Sequence, residues 1–266
     1  MPRFAANLGF LFQEVPFLDR FAEAAHAGFS GVEFAFGYDY PPAELAVRLS
    51  AHNLTQVLIN APPGRWDDGD RGLASAPGRE HEFAASIVTA LRYARALSCR
   101  RVHVMAGVLP DEAEGADPEL RARHRSTFVR NLRLAAQEAA EQGVMLTIEP
   151  INPRDVPRYF LTTQAEAHAI REEVRADNLK IQMDFYHAQI VEGDLAEKLE
   201  RWLPHIGHIQ IAGVPGRHEP DNGEINYRYL FSRLDELGYD GWVGCEYRPA
   251  SGTLEGLKWM TALRGR

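Results

Sequence analysis

Apolar positions along the chain alternate between two periods. Eight short runs rich in β-branched and aromatic residues read as strands: RFAANLGF (3–10), GVEFAF (31–36), TQVLIN (55–60), RVHVMAG (101–107), VMLTIE (144–149), LKIQMD (179–184), HIGHIQIA (205–212) and GWVGCEY (241–247). Between them, FLDRFAEAAHAG, AELAVRLSAHN, EFAASIVTALRYARALS, ELRARHRSTFVRNLRLAAQEAAEQG, TQAEAHAIREEV, GDLAEKLERWL, YRYLFSRLDELG and LEGLKWMTALRG space their apolar residues as helices do. Boundary signals agree. Glycine separates helix from strand in AHAGFSGVEF and EQGVML, and Thr163 offers an N-cap with a glutamate three residues on. Strict alternation implies a parallel sheet, and eight units in 266 residues favour closure into a single-domain (β/α)8 TIM barrel over residues 1–266. A doubly wound open sheet is the alternative, but no GxGxxG follows the first strand.

Polar residues interrupt this pattern at four consecutive strand ends. Strand 5 ends in Glu149 and strand 6 in Asp184, while strand 7 carries Gln210 and strand 8 Glu246 near their ends. By the period of two, Ile148, Met183, Ile209 and Cys245 face the helices and the four polar residues face the axis. Thr147, Gln182, His208 and Gly244 lie two residues earlier on the same inward face. Adjacent barrel strands bring these side chains to one rim, where unneutralised carboxylates repel. A divalent cation relieves that repulsion, and an all-oxygen set selects one hard ion, Mg²⁺ or Mn²⁺. The long connections 61–78 and 107–117 follow strands 3 and 4 at the same end, where barrel active sites are built.

Composition narrows the partner. A net charge of -8 argues against nucleic acid and for a small metabolite. The N-terminus lacks the form of a signal peptide, and no apolar run approaches a membrane span. Cys99 and Cys245 form no framework or CxxC, which suits a cytoplasmic protein.

The motifs LTIEPIN, IQMDFYH, HIGHIQIA with the following GR and HEP, GEINYRYLF and GWVGCEY, together with NAPPGRW and GDRGLASAPGRE, resemble the hydroxypyruvate isomerase family of xylose-isomerase-like TIM barrels, which lies close to the 2-oxo-tetronate isomerases. The resemblance runs from about Arg3 to Trp259. It implies that Glu149, Asp184, Gln210 and Glu246 hold one divalent metal, that Glu149 and Glu246 form the acid/base pair, and that the chain is a homo-oligomer. Related sugar 3-epimerases usually have histidine where this chain has Gln210, which turns the expectation away from hexose epimerisation.

The expected reaction interconverts hydroxypyruvate and tartronate semialdehyde, or a four-carbon oxo-acid homologue, by proton transfer through an enediolate. An inosose dehydratase-type lyase and a non-catalytic sugar-acid sensor are the competing readings. Endonuclease IV chemistry would require a histidine-rich zinc cluster and a basic groove. For the substrate, His187 is expected to hydrogen-bond an oxygen, and Arg217 or Arg71 to clamp the carboxylate. Asn60, Trp66 and Phe36 are expected along the pocket, and Glu33 behind the reacting groups. His103 is expected as a satisfied core histidine, and Glu219 as a weak candidate on the loop that carries Arg217.

Overall fold

The computed structural model describes residues 2–110 and 117–264. Eight parallel strands close on themselves in sequence order: β1 (Arg3–Asn7), β2 (Gly31–Phe34), β3 (Thr55–Asn60), β4 (Arg101–His103), β5 (Met145–Ile148), β6 (Leu179–Asp184), β7 (Ile206–Ile211) and β8 (Trp242–Cys245). The ring is sealed where β1 pairs with β8, Ala5 opposite Gly244 and Ala6 opposite Cys245. This is the (β/α)8 TIM barrel that the alternation implies. The connection expected at 107–117 includes residues 111–116, which lie outside the described residues.

The helices are α1 (Arg20–His26), α2 (Pro42–Ala51), α3 (Glu80–Ala96), α4 (Pro118–Glu141), α5 (Gln164–Val174), α6 (Phe185–Val191), α7 (Leu195–Trp202), α8 (Tyr227–Glu236), α9 (Thr253–Gly256) and α10 (Lys258–Arg264). Their inward stripes make the main core with the outward faces of the strands. On α3, Phe83, Ile87, Ala90, Leu91 and Ala94 are buried at helical spacing, and each large member contributes about 1.5–3 kcal/mol by leaving water. Ile148, Met183, Ile209 and Cys245 are completely buried, as the strand period requires. Thr163 caps α5, its hydroxyl accepting from the Glu166 amide at 3.2 Å.

One helix is absent from the periodicity. Asp184 both ends β6 and caps α6, its Oδ1 accepting from the Tyr186 amide at 2.8 Å. The seven residues FYHAQIV are almost too short to show a period, and a strand-end carboxylate gives no sign that a helix starts on it.

Candidate active site

The barrel interior is polar, so its groups must satisfy one another. Glu33 on β2 is fully buried and accepts from Asn7 Nδ2 at 3.1 Å and Gln210 Nε2 at 2.7 Å, with His208 Nε2 2.7 Å from its other oxygen. Gly244 provides the space, since a Cβ there would overlap the Glu33 carboxylate. With the Gln210 amide nitrogen on Glu33, its Oε1 accepts from Gln182 Nε2 at 2.7 Å, and Gln182 Oε1 accepts from Thr147 Oγ1 at 3.3 Å. The acceptor character of Glu33 thus orients the chain of amides. Gln210 is opposite Asp184 in the β6–β7 register. Both ends of its amide are thus engaged, the oxygen by Gln182 and the nitrogen by Glu33.

Above this layer, Glu149, Asp184, His187 and Glu246 each present a ligand atom within 4.8 Å of the others. Glu149, His187 and Glu246 line a cavity of about 690 Å³, with Asn60, Trp66, Arg71 and Arg217 on its walls, and Asp184 lies beside them. Glu149 Oε1 and Asp184 Oδ2 are buried without a hydrogen-bond partner. Glu246 accepts from Asn7 Nδ2 at 3.0 Å and from Arg217 Nη2 at 2.6 Å. Asn7 therefore joins Glu33 below to Glu246 above.

Burial and mutual repulsion favour protonation here. Burial, then Glu246 and Asp184, raise the Glu149 carboxyl well above its usual value. Burial pushes Asp184 up to about 6 against the pull of Arg217, and Glu246 up to about 8 against the same guanidinium. The unpartnered oxygens and the excess negative charge both fit a divalent cation. His187 on α6 also stands among the carboxylates.

Arg217 is no free clamp in this state. Its Nη1 donates to Asp155 at 3.1 Å and its Nη2 to Glu246, while Nε has no partner. The guanidinium carbon lies 4.8 Å from the centre of the Phe10 ring and 4.9 Å from that of Tyr186. Its backbone φ of 55° lies in the left-handed region, which non-glycine residues adopt at a cost and where surrounding bonds must hold them. The Arg217 carbonyl accepts from the Arg248 amide at 2.7 Å.

Arg71 lines the same cavity. Its Cζ is 3.8 Å from the centre of the Trp66 ring, and its Nη1 donates to the Trp66 and Asp70 carbonyls. Trp66 packs on Phe36, ring centres 5.3 Å apart. The loop is pinned by Asp70, whose carboxylate accepts from Arg79 at 2.6 and 2.8 Å and from the Arg65 amide at 2.7 Å.

Two expectations need correction. His103 is not a satisfied core histidine: it lines the cavity, its Nε2 has no hydrogen bond, and it stands 3.6 Å from Glu149 Oε2. Glu219 turns away from the cavity and accepts from the Ala250 amide at 3.1 Å, anchoring the segment after β8. Asn7, Asn152 and Asp155 went unremarked in the sequence. Asn152 closes LTIEPIN and Asp155 follows it in INPRD, and their polarity beside a strand end was the available signal.

Comparison with known proteins places the chain. Residues 21–263 match the family described as xylose isomerase-like TIM barrel. A 2-oxo-tetronate isomerase from Cupriavidus necator is 57% identical over 266 residues, with 100% of both chains covered. A hydroxypyruvate isomerase from Escherichia coli is 46% identical, covering 99% of this chain and 100% of its own. Among solved structures, a protein named AP endonuclease, family 2, from Brucella melitensis superposes with a TM-score of 0.94 at 50% identity, covering 98% of this chain and 99% of its own. Matched from strand to strand and along whole chains, the protein belongs to the xylose isomerase-like TIM barrel family, in the group of the hydroxypyruvate and 2-oxo-tetronate isomerases.

Proposed function

We propose that the protein is a metal-dependent isomerase that shifts the carbonyl of a short 2-oxo acid by one carbon, with Glu149 and Glu246 as the acid/base pair. The observation that carries this reading is the meeting of these two carboxylates, with Asp184 beside them, in one cavity. The identity to a 2-oxo-tetronate isomerase favours the four-carbon substrate, and hydroxypyruvate is the alternative.

In the forward direction one carboxylate removes the proton from the carbon bearing the hydroxyl group. The other delivers a proton to the former carbonyl carbon. Between the two steps the substrate is an enediolate, and the hydroxyl proton passes to the new alcohol oxygen. Two groups of the same kind need unequal environments to divide these roles. Here Glu246 shares Asn7 and Arg217, whereas Glu149 Oε1 has no partner. His187 holds a substrate oxygen, Arg217 and Arg71 favour the carboxylate end, and Asn60 and Trp66 line the cavity wall. Glu149, Asp184, Gln210 and Glu246 would hold a Mg²⁺ or Mn²⁺ ion, which when bound supplies Lewis acidity toward substrate oxygens.

The test is an assay on 2-oxo-tetronate and hydroxypyruvate after chelation and add-back of Mg²⁺ or Mn²⁺, run in D₂O. Metal-restored interconversion, with deuterium entering at the reacting carbons, is expected. Substrate dehydration would assign a lyase instead, and binding without turnover or exchange would assign a sensor.

A further inference from the structure

Asn152 is completely buried just after β5, and every polar atom of its side chain is committed. Its Oδ1 accepts from the Asp155 amide at 2.9 Å, which fixes the amide's orientation. Its Nδ2 then lies 2.6 Å from His187 Nδ1, and its backbone amide approaches the same ring nitrogen at 3.4 Å. Both groups can only donate, so Nδ1 must offer its lone pair, and a ring proton there would face two other protons. The imidazole proton is left on Nε2. That nitrogen stands 3.6 Å from Asp184 Oδ2, which has no hydrogen-bond partner. Arg217 Nη2 also points a donor at Nε2, but at 3.5 Å against 2.6 Å for Asn152 Nδ2 at Nδ1, so the shorter and paired contacts at Nδ1 set the tautomer.

We propose that Asn152 is a positioning residue that fixes His187 as its Nε2–H tautomer, so that the imidazole faces the carboxylate cluster as a hydrogen-bond donor to a substrate oxygen and not as a metal ligand. The substrate half of this statement rests on the isomerase reading above. The tautomer and the exclusion of His187 from the ligand set rest on the hydrogen bonds alone. A ring with Nε2 protonated has no lone pair on that side, although its distance from the carboxylates suits an ion.

The experiment is long-range ¹H–¹⁵N correlation on the histidine-labelled full-length protein, before and after Mg²⁺, with His187→Gln supplying the assignment. Expected are a pyrrole-type Nε2 and a pyridine-type Nδ1 for His187, unchanged by the ion. Calorimetry of Mg²⁺ with His187→Gln is expected to stay within about threefold of wild type. In Asn152→Asp the new carboxylate accepts from Nδ1, the tautomer inverts, and kcat falls roughly 10- to 100-fold with less change in KM. A pyrrole-type Nδ1 in the wild-type protein, or an Nε2 resonance displaced by Mg²⁺, would overturn the proposal even if Asn152→Asp fails to fold. A wild-type protein with the expected tautomer and no isomerase activity would sink the functional reading and leave the tautomer assignment standing.

Discussion

Arg217 Nη2 lies 2.6 Å from Glu246 Oε2 and 3.9 Å from Asp184 Oδ2, so one guanidinium serves as counter-charge for two candidate ion ligands. Removing one member of such a buried set leaves the others uncompensated. Arg217→Met is expected to lower kcat/KM by at least about 100-fold and to lower the Tm of the metal-free protein. Thermal melts with and without Mn²⁺ check it, and the ion should recover most of the lost Tm and little of the activity.

The stability of the metal-free protein should fall as pH rises. Asp184 and Glu246 are pushed up to about 6 and about 8 from ordinary values of 3.8 and 4.5. In the unfolded chain they lose their protons near pH 4, while the folded chain keeps them, so the folded state binds more protons across that window. Stability is then highest below about pH 4 for these groups and declines until about pH 8, by on the order of a few kcal/mol. Denaturant titrations in chelator across this range test the slope. Saturating Mg²⁺ should flatten it, because the ion competes with the protons.

Glu149→Gln separates function from stability. The carboxyl is raised by burial and by repulsion from Glu246 and Asp184, and a neutral amide suffers neither. Activity is expected to drop by about 10²–10⁴, while the metal-free protein gains on the order of 1 kcal/mol. Paired turnover and urea-unfolding measurements decide. A destabilised variant would show that the carboxylate is structural.

Asp70→Asn should loosen the wall that carries Trp66 and Arg71, since Asp70 ties Arg65 and Arg79 together. A roughly threefold to tenfold rise in KM with nearly constant kcat is expected if this cavity wall binds substrate as proposed and stays apart from the reacting protons. Steady-state kinetics give the split.

Gly244→Ala tests the layer beneath. The added methyl would displace the Glu33 carboxylate, at about 1–3 kcal/mol for overpacking. Unfolding free energies measure the cost. A neutral effect would mean that Glu33 does not occupy the space under Gly244.

Much of this arrangement could be read along the chain. The strand period placed Glu149, Asp184 and Glu246 on the inward face, and Ile148, Met183, Ile209 and Cys245 outward, because alternation is a local property of extended backbone. What escaped depends on partners far away in sequence. Asn7 matters only because β1 closes against β8. The immediate partners of Gln210 depend on Glu33, 177 residues away. His103 looks like core on β4 until the cavity opens beside it.

Asn7, in the first strand, donates to both Glu33 and Glu246, the latter just past the last strand. Neither half of the cylinder alone can therefore give Glu246 its hydrogen bond from Asn7. During synthesis the earliest residues must wait for the latest, and turnover should appear in a single step once the C-terminal segment leaves the ribosome.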